Sequence, residues 1–315
     1  LYGVVVNYLV TGAAGFIGAN IAQKLLDSGH RVVTIDNLST GYESAIPKQC
    51  IFIKGDVSED RTIQKLNNAN FDAILHIAGQ SSGEVSFEDP AYDINSNTVS
   101  TLKLLDYAVK TKCKRFIYAS TMSVYGEQDK KEQFSENDAT IPKSFYAVGK
   151  LASENYLRIY QEQYGIKYTS LRYFNVYGAG QNLENLKQGM ISIYLKQFID
   201  DAFKKVEVKG SVGRFRDLSY VDDVASVSIE SIHNEKFYNE VINIGTGKKT
   251  TIKKMLQLMK DYLGSSKEVI ISRGTKGDQF GTYADVSKLK SIYSKEFIGF
   301  DVGLRKMIKG IKNEM

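Results

Sequence analysis

The chain has 315 residues, 43% apolar and 24% charged, with a formal net charge of +5. That suffices for a sizeable core in one large or two smaller domains, in the range of an ordinary soluble globular protein, and the dispersed lysines call for no nucleic-acid partner. No apolar run is long enough to span a bilayer, two cysteines (Cys50, Cys113) without a pairing pattern fit a reducing cytoplasm, and three scattered histidines give no metal-ligand spacing.

The apolar opening LYGVVVNYLV lacks a basic leader and runs into a glycine-rich turn, so it reads as a first strand rather than a signal peptide. The turn is VTGAAGFIG, followed by the helical GANIAQKLLDSG. Gly12 permits a tight turn, Gly15 a close approach of backbone to a pyrophosphate, and Gly18 close packing of helix on sheet. Phe16 and Ile17 open the helix, whose free N–H groups and positive dipole end suit phosphate. The second strand, RVVTID, ends at Asp36. A carboxylate there accepts from both ribose hydroxyls of an adenosine and repels a 2′-phosphate, and Asn37 follows where a phosphate-binding site often has Arg. This favours NAD over NADP.

Two further strand tips extend the same crevice. CIFIKGD leads to Asp56 and Val57, suited to an adenine amino group and ring. FDAILHIAG leads to Ile77, Ala78, Gly79 and Gln80, where small residues let a dinucleotide pass close to the backbone. KRFIYAS then presents Ser120 and Thr121, and after a polar loop comes SFYAVGK, with Tyr146 and Lys150 one helical turn apart. A phenol titrates near ~10, and a neighbouring ammonium together with a positive nicotinamide would lower it by ~3 units, for about 4 kcal/mol of differential interaction. Thr121 would orient the reacting hydroxyl, and Lys150 would also bond the nicotinamide ribose. KYTSLRYF closes a series of strands alternating with helices, the pattern of an α/β fold with a doubly wound, Rossmann-like parallel sheet. Helices are expected around Asn95–Lys110 and Tyr146–Tyr164. Residues 1–175 form the cofactor domain in this reading, and 176–315 a smaller substrate lobe. Segments near 217–245, including YVDDVASVSIESI and VINIG, are expected to rejoin the large sheet.

The motifs TGAAGFIG, DNLSTG, GDV, HIAG, YAVGK, LRYFNVYG, GRFRDLSYVDDVA, NIGTG and GDQFGTYAD together resemble those of the extended short-chain dehydrogenase/reductases. Within that family the chain is most similar to nucleotide-sugar epimerases of the UDP-glucose 4-epimerase type. The resemblance implies NAD, a nucleotide-diphosphate sugar (UDP-sugar favoured), no membrane attachment and a homodimer built on two helices per subunit. It brings Asn97 to the cofactor, Tyr173 and Phe174 to the nicotinamide, Asn175 to the sugar diphosphate and Arg216 to the diphosphate. The family's dehydratases carry an Asp-Glu pair after the threonine equivalent to Thr121, where this chain has Met122 and Ser123. A dehydratase or reductase, or an NAD-binding regulator without catalysis, are the alternatives. In GDQFGTYAD the usual diphosphate arginine is replaced by Thr275, with Arg273 two residues upstream as its substitute, and Gly189 stands where UDP-hexose epimerases often have asparagine. Thr282 occupies the position that flanks C2 of the hexose, where a tyrosine confines the pocket and a small residue admits a 2-acetamido group.

Overall fold

The computed structural model describes residues 5–128, 131–186, 189–274 and 280–314. Thr275 and the Gly-Asp pair of GDQFGTYAD therefore lie outside the described residues, as do the first four. Seven strands form one parallel sheet: β1 (Asn7–Thr11), β2 (Arg31–Asp36), β3 (Ile51–Lys54), β4 (Ala73–His76), β5 (Arg115–Thr121), β6 (Lys167–Tyr173) and β7 (Glu240–Ile244), in the order β7-β6-β5-β4-β1-β2-β3. The chain starts in the middle, winds to one edge, and restarts on the other side of β1. That reversal opens a crevice between β1 and β4 at the carboxyl ends of the strands.

Both faces of the sheet are covered, which is why its central strands read as continuous apolar runs. On β1, Tyr8 and Val10 turn to one face and Leu9 to the other, all three buried. The Tyr8 face packs on α1 (Phe16–Asp27) and α5 (Val221–His233), through Ile21, Leu25 and Val224. The Leu9 face packs on α2 (Ser100–Thr111) and α3 (Phe145–Tyr164), through Leu104, Leu105 and Leu157. YVDDVASVSIESI thus returns to the sheet as covering helix α5, and VINIG as edge strand β7, in register with β6 from Glu240↔Thr169 to Ile244↔Tyr173.

A second core gathers α4 (Met190–Ile199), α6 (Ile252–Leu263) and α7 (Phe300–Glu314) around Leu195, Met255 and Leu304. VEVKG forms the strand Lys205–Lys209, paired in parallel with Glu268–Ser272.

Two local features decide where Tyr146 and Asn97 sit. Helix α3 is started by Ser144, whose Oγ accepts from Ala147 N at 3.2 Å, and stopped by Gly165 at φ +69°. Tyr146 therefore falls in its first turn, at the mouth of the crevice. The helical stretch expected from Asn95 begins instead with a π turn, Asn95–Val99, between Pro90–Ile94 and α2. The wider turn places Asn97 in the interior, with no exposure at all.

Candidate active site

Gly12 adopts φ +79°, and a side chain on it would meet Ala78 N at 2.7 Å. One on Gly18 would meet Gly12 O at 2.2 Å. Gly15 differs: its nearest would-be neighbour is Gly12 O at 3.4 Å, so its backbone is left open toward the cleft. The turn is fixed by Gly12 N donating to Ile35 O at 2.9 Å and Gly15 N to Gly12 O at 3.1 Å. The arrangement fits a dinucleotide: two glycines without room for a Cβ hold the bend, and the third exposes backbone at the start of α1.

One cleft runs over this turn, past Phe16, Ile17, Asp36, Asn37, Asp56 and Val57, to Ile77, Ala78 and Gly79. A second, adjoining cleft shares Phe16, Ile17, Ile77, Gly79 and Gln181 and continues past Ser120, Thr121, Tyr146 and Lys150 to Tyr173, Phe174 and Asn175. The sequence-predicted residues therefore line a single crevice across the switch point, with five exceptions. Gln80 and Asn97 lie behind the wall. Arg216 is half-buried, its Nη1 donating to Phe215 O at 2.8 Å and Phe280 O at 3.4 Å, and Arg273 is exposed. Thr282 is buried beneath Met122, donating to its Sδ at 3.3 Å.

At the ribose end, Asp36 is held by Ala14 N on Oδ2 (2.9 Å) and Leu38 N on Oδ1 (2.8 Å). Each oxygen keeps lone pairs toward the cleft. Asn37 donates to Asp56 Oδ2 at 2.9 Å, and Ser58 supplies Asp56 Oδ1 with two more bonds. Burial pushes the Asp56 carboxyl up, but these bonds outweigh it and hold the group below the usual carboxylate range. Two fixed carboxylates make this end a poor seat for an additional phosphate.

At the other end, Lys150 is 3% exposed, donates to Ala119 O at 2.9 Å, and stands 4.9 Å from the Tyr118 ring centre and 6.0 Å from that of Tyr146. Burial lowers its ammonium to about 8, opposed by the carboxylate of Asp93. At Tyr146 burial pushes the phenol up to about 12, with Asp93 adding to the rise and the Thr121 hydroxyl opposing it. The lowering expected for this phenol includes the charge of the nicotinamide; among the protein's own groups, desolvation of the phenolate exceeds what Thr121 returns.

Behind the wall, Gln80 donates to Asp93 Oδ2 at 2.7 Å and to Ser82 O, so its amide is spent inward. Asn97 donates to Gln80 O and Asp93 Oδ2, leaving its Oδ1 buried without a partner, in the space a Gly79 side chain would fill and close to Lys150 Nζ. That bare acceptor beside a glycine cradle fits a bound cofactor at Gly79. Tyr173 hydrogen-bonds to Ser228 at 2.8 Å, and Asn175 donates to Asp217 O at 3.2 Å. Sequence reasoning missed Asp93 and Asp217. Asp217, fully buried, accepts from Thr246 N and Oγ1, Gly247 N and Ala284 N. It ties NIGTG to the segment carrying Thr282, and only its place beside Arg216 hinted at importance.

His76 has a defined tautomer. Ser100 uses its one O–H on Ser96 O at 2.6 Å, so His76 Nε2 carries the hydrogen toward Ser100 and Nδ1 accepts from Thr11. Thr11 Oγ1 in turn accepts from Ile77 N and Ala78 N, fixing that strand tip against the glycine turn.

This architecture, a dinucleotide crevice closed at one end by Thr, Tyr and Lys, defines a nucleotide-cofactor enzyme. Residues 8–245 match the NAD dependent epimerase/dehydratase family, and the chain belongs to that family, with NAD as its cofactor. It is 32% identical over 97% of its length to a putative UDP-glucose 4-epimerase of Methanocaldococcus jannaschii, covering 98% of that protein. The UDP-glucose 4-epimerase of Thermotoga maritima, solved with UDP-glucose, superposes with a TM-score of 0.93 at 31% identity, covering 98% of this chain and 99% of the other. That of Thermus thermophilus, solved with NAD, gives 0.90 at 30%, covering 98% and 100%.

Burial, with the Lys150 charge beside it, depresses His76 to about 3. The unfolded chain takes up this proton below the ordinary histidine value of 6.5 and the folded protein only near 3, so stability is full above 6.5 and declines as pH falls. Thermal midpoints measured from pH 8 to pH 4 should fall more steeply for wild type than for His76→Gln. Parallel curves would contradict a buried neutral imidazole.

Proposed function

We propose that the protein is an NAD-dependent UDP-sugar 4-epimerase in which Thr121, Tyr146 and Lys150 form the reacting set. The observation that carries this reading is their convergence at the end of the crevice that begins at Gly12–Gly18. Bound NAD would supply a reversible hydride acceptor for C4 of the sugar and a positive charge for the site. Tyr146 removes the 4-hydroxyl proton and later gives it back. Thr121, lining the same cleft as Tyr146, orients that hydroxyl. Lys150 holds positive charge within reach of the phenolate and is itself fixed by Ala119 O. Asp36 receives the adenosine ribose, and Asp56 with Val57 the adenine. Asn97 Oδ1 and Gly79 border the nicotinamide side, as do Tyr173 and Phe174. Asn175 and Arg216 face the diphosphate, with Arg273 as a further cation from the loop beyond. No acid or base occupies Met122, and Ser123 already serves as acceptor and donor to Thr121, which argues against dehydration. We read 1–175 with the returning 217–245 as the cofactor unit and the remaining C-terminal residues as the sugar lobe. No described helix is long and apolar enough to cross a membrane. Burial pushes both thiols up, Cys50 to about 11, which suits a reducing cytoplasm.

Tyr146→Phe should lose at least ~10²-fold in turnover while still binding NAD, since the phenol is the proton carrier. Turnover close to wild type would rule out the mechanism.

The sugar pocket is read as open on the C2 side. Thr282 is small, and the neighbouring rings do not replace a larger side chain, because Phe280 and Tyr283 both pack edge-on against Phe215, at 6.1 and 6.3 Å. UDP-GlcNAc and UDP-GalNAc should therefore be turned over along with UDP-Glc and UDP-Gal. Thr282→Tyr should suppress the acetamido pair selectively, at a steric cost of about 1–3 kcal/mol. Product analysis on the four sugars checks this, and a wild-type enzyme inert to UDP-GlcNAc would refute it.

A homodimer is supported by α3, where Phe145, Val148, Tyr156 and Ile159 stay exposed along one side and Phe145 joins exposed Phe87 at 5.5 Å. A stripe of this kind on an otherwise covered helix marks an association surface. Sedimentation should give twice the chain mass for wild type and the chain mass for Val148→Glu/Ile159→Glu. A monomeric wild type would exclude it.

A further inference from the structure

Lys150 recurs one turn on as Glu154, on the same side of α3 and with a 6% exposed side chain. Glu154 is paired with Arg172 of β6, also 6% exposed, through two parallel bonds: Nε to Oε1 at 3.0 Å and Nη2 to Oε2 at 2.7 Å. Ser120 directs its hydroxyl at Glu154 Oε1, so this strand-tip hydroxyl is spent on the helix rather than on the cleft. Ser120 and Arg172 are neighbours in register on β5 and β6, which is why both reach one carboxylate. The third arm of Arg172 donates to Tyr125 OH at 2.9 Å, and Tyr125 donates to Asn243 Oδ1 of β7 at 2.7 Å. Tyr125 belongs to the short turn that directly follows Thr121.

A buried ion pair is an expensive way to hold a fold. Well-packed apolar residues of similar volume often give equal or greater stability. What this pair supplies is direction. Two consecutive residues at the tip of β5 are tied to α3, Ala119 O to Lys150 and Ser120 Oγ to Glu154, and the next, Thr121, lines the same cleft as Tyr146. Only the Glu154 tie is also bolted to β6 and, through Tyr125, to β7.

We propose that Glu154 and Arg172 are positioning residues for the epimerase reaction, their buried pair locking α3 against the tip of β5 and thereby setting the geometry between Tyr146 and Thr121. The proposal rests on the reading of Thr121, Tyr146 and Lys150 as the reacting set. Proton transfer requires heavy atoms within hydrogen-bond reach. A slip of the helix along the strand would lengthen that path without removing any reacting group.

The test is Glu154→Leu/Arg172→Met, which removes the anchor and leaves no buried charge unpaired. The full-length variant should melt at or above the wild-type midpoint and retain NAD. Its kcat should fall about 10- to 100-fold, the cost of misplacement by about 1 Å, with KM for UDP-glucose little changed. A purely structural pair would lower the midpoint and leave the kcat of the folded fraction intact, and that result overturns the proposal. Ser120→Ala decides the matter if the double variant does not fold. It breaks only the strand-to-helix tie and should lower kcat about tenfold at unchanged NAD affinity, and full activity there is equally fatal. Tyr146→Phe run alongside separates the two ideas. An active Tyr146→Phe sinks the reacting set itself, while an inactive one beside a fully active double variant sinks the positioning role alone.

Discussion

One buried cation sets the terms for the rest of the site. Lys150 is almost completely withdrawn from water, and a desolvated ammonium is tolerated only where oxygen atoms or carboxylates repay the loss. Here the repayment comes from Ala119 O, from the faces of Tyr118 and Tyr146, and through space from Asp93. Asp93 is buried in its turn and is supported by the amides of Gln80 and Asn97. Those amides reach it because the π turn swings Asn97 inward. A short irregular stretch of helix, a glycine-flanked strand tip and a reactive lysine thus form one dependent chain of contacts.

The same logic explains why the sheet is built as it is. Parallel strands buried on both faces cannot carry polar side chains along their length, so the chemistry collects at their carboxyl ends. β1, β2, β4 and β5 each deliver a polar or glycine tip to the crevice: Gly12, Asp36, Gly79 and Thr121. The exceptions prove instructive. His76 and Thr34 are polar and wholly buried, but each has its hydrogen bonds spent on a neighbouring strand or helix. They fasten the sheet rather than face the ligand.

Much of this was legible in the sequence. The strand-and-helix alternation, the glycine turn, the Asp36 spacing and the Tyr146–Lys150 step all depend on local periodicity, and local periodicity is what a sequence displays. The parts that stayed hidden are those that need the fold first. Nothing in NSNTV announces a π turn. Glu154 and Arg172 carry no signal of their own in the sequence, and only the register of β5 on β6 makes them a buried pair reached by Ser120. Burial at Tyr146 is hidden in the same way: the neighbouring charge can be read from the four-residue spacing, but the completeness of burial, which raises the phenol among the protein's own groups, cannot.

In the proposed reading, the two ends of the sugar site are secured by different means. On the reacting side, α3 and β5 are tied by two successive contacts deep in the sheet, Ala119 O to Lys150 and Ser120 to Glu154. On the sugar side, Met122 receives Thr282 and Asn175, while Tyr283–Ala284 pairs in parallel with Gln133–Phe134 and Asp217 holds Ala284 N. These segments are far apart in the chain and meet only through loops. A sulfur contact and a two-residue pairing constrain side-chain size weakly, whereas a bidentate buried pair constrains direction strongly. The wall that selects the sugar can therefore change residue by residue without disturbing the proton-transfer geometry. In that reading the strong anchors are kept where bonds are made and broken, and the adaptable contacts where shape is read.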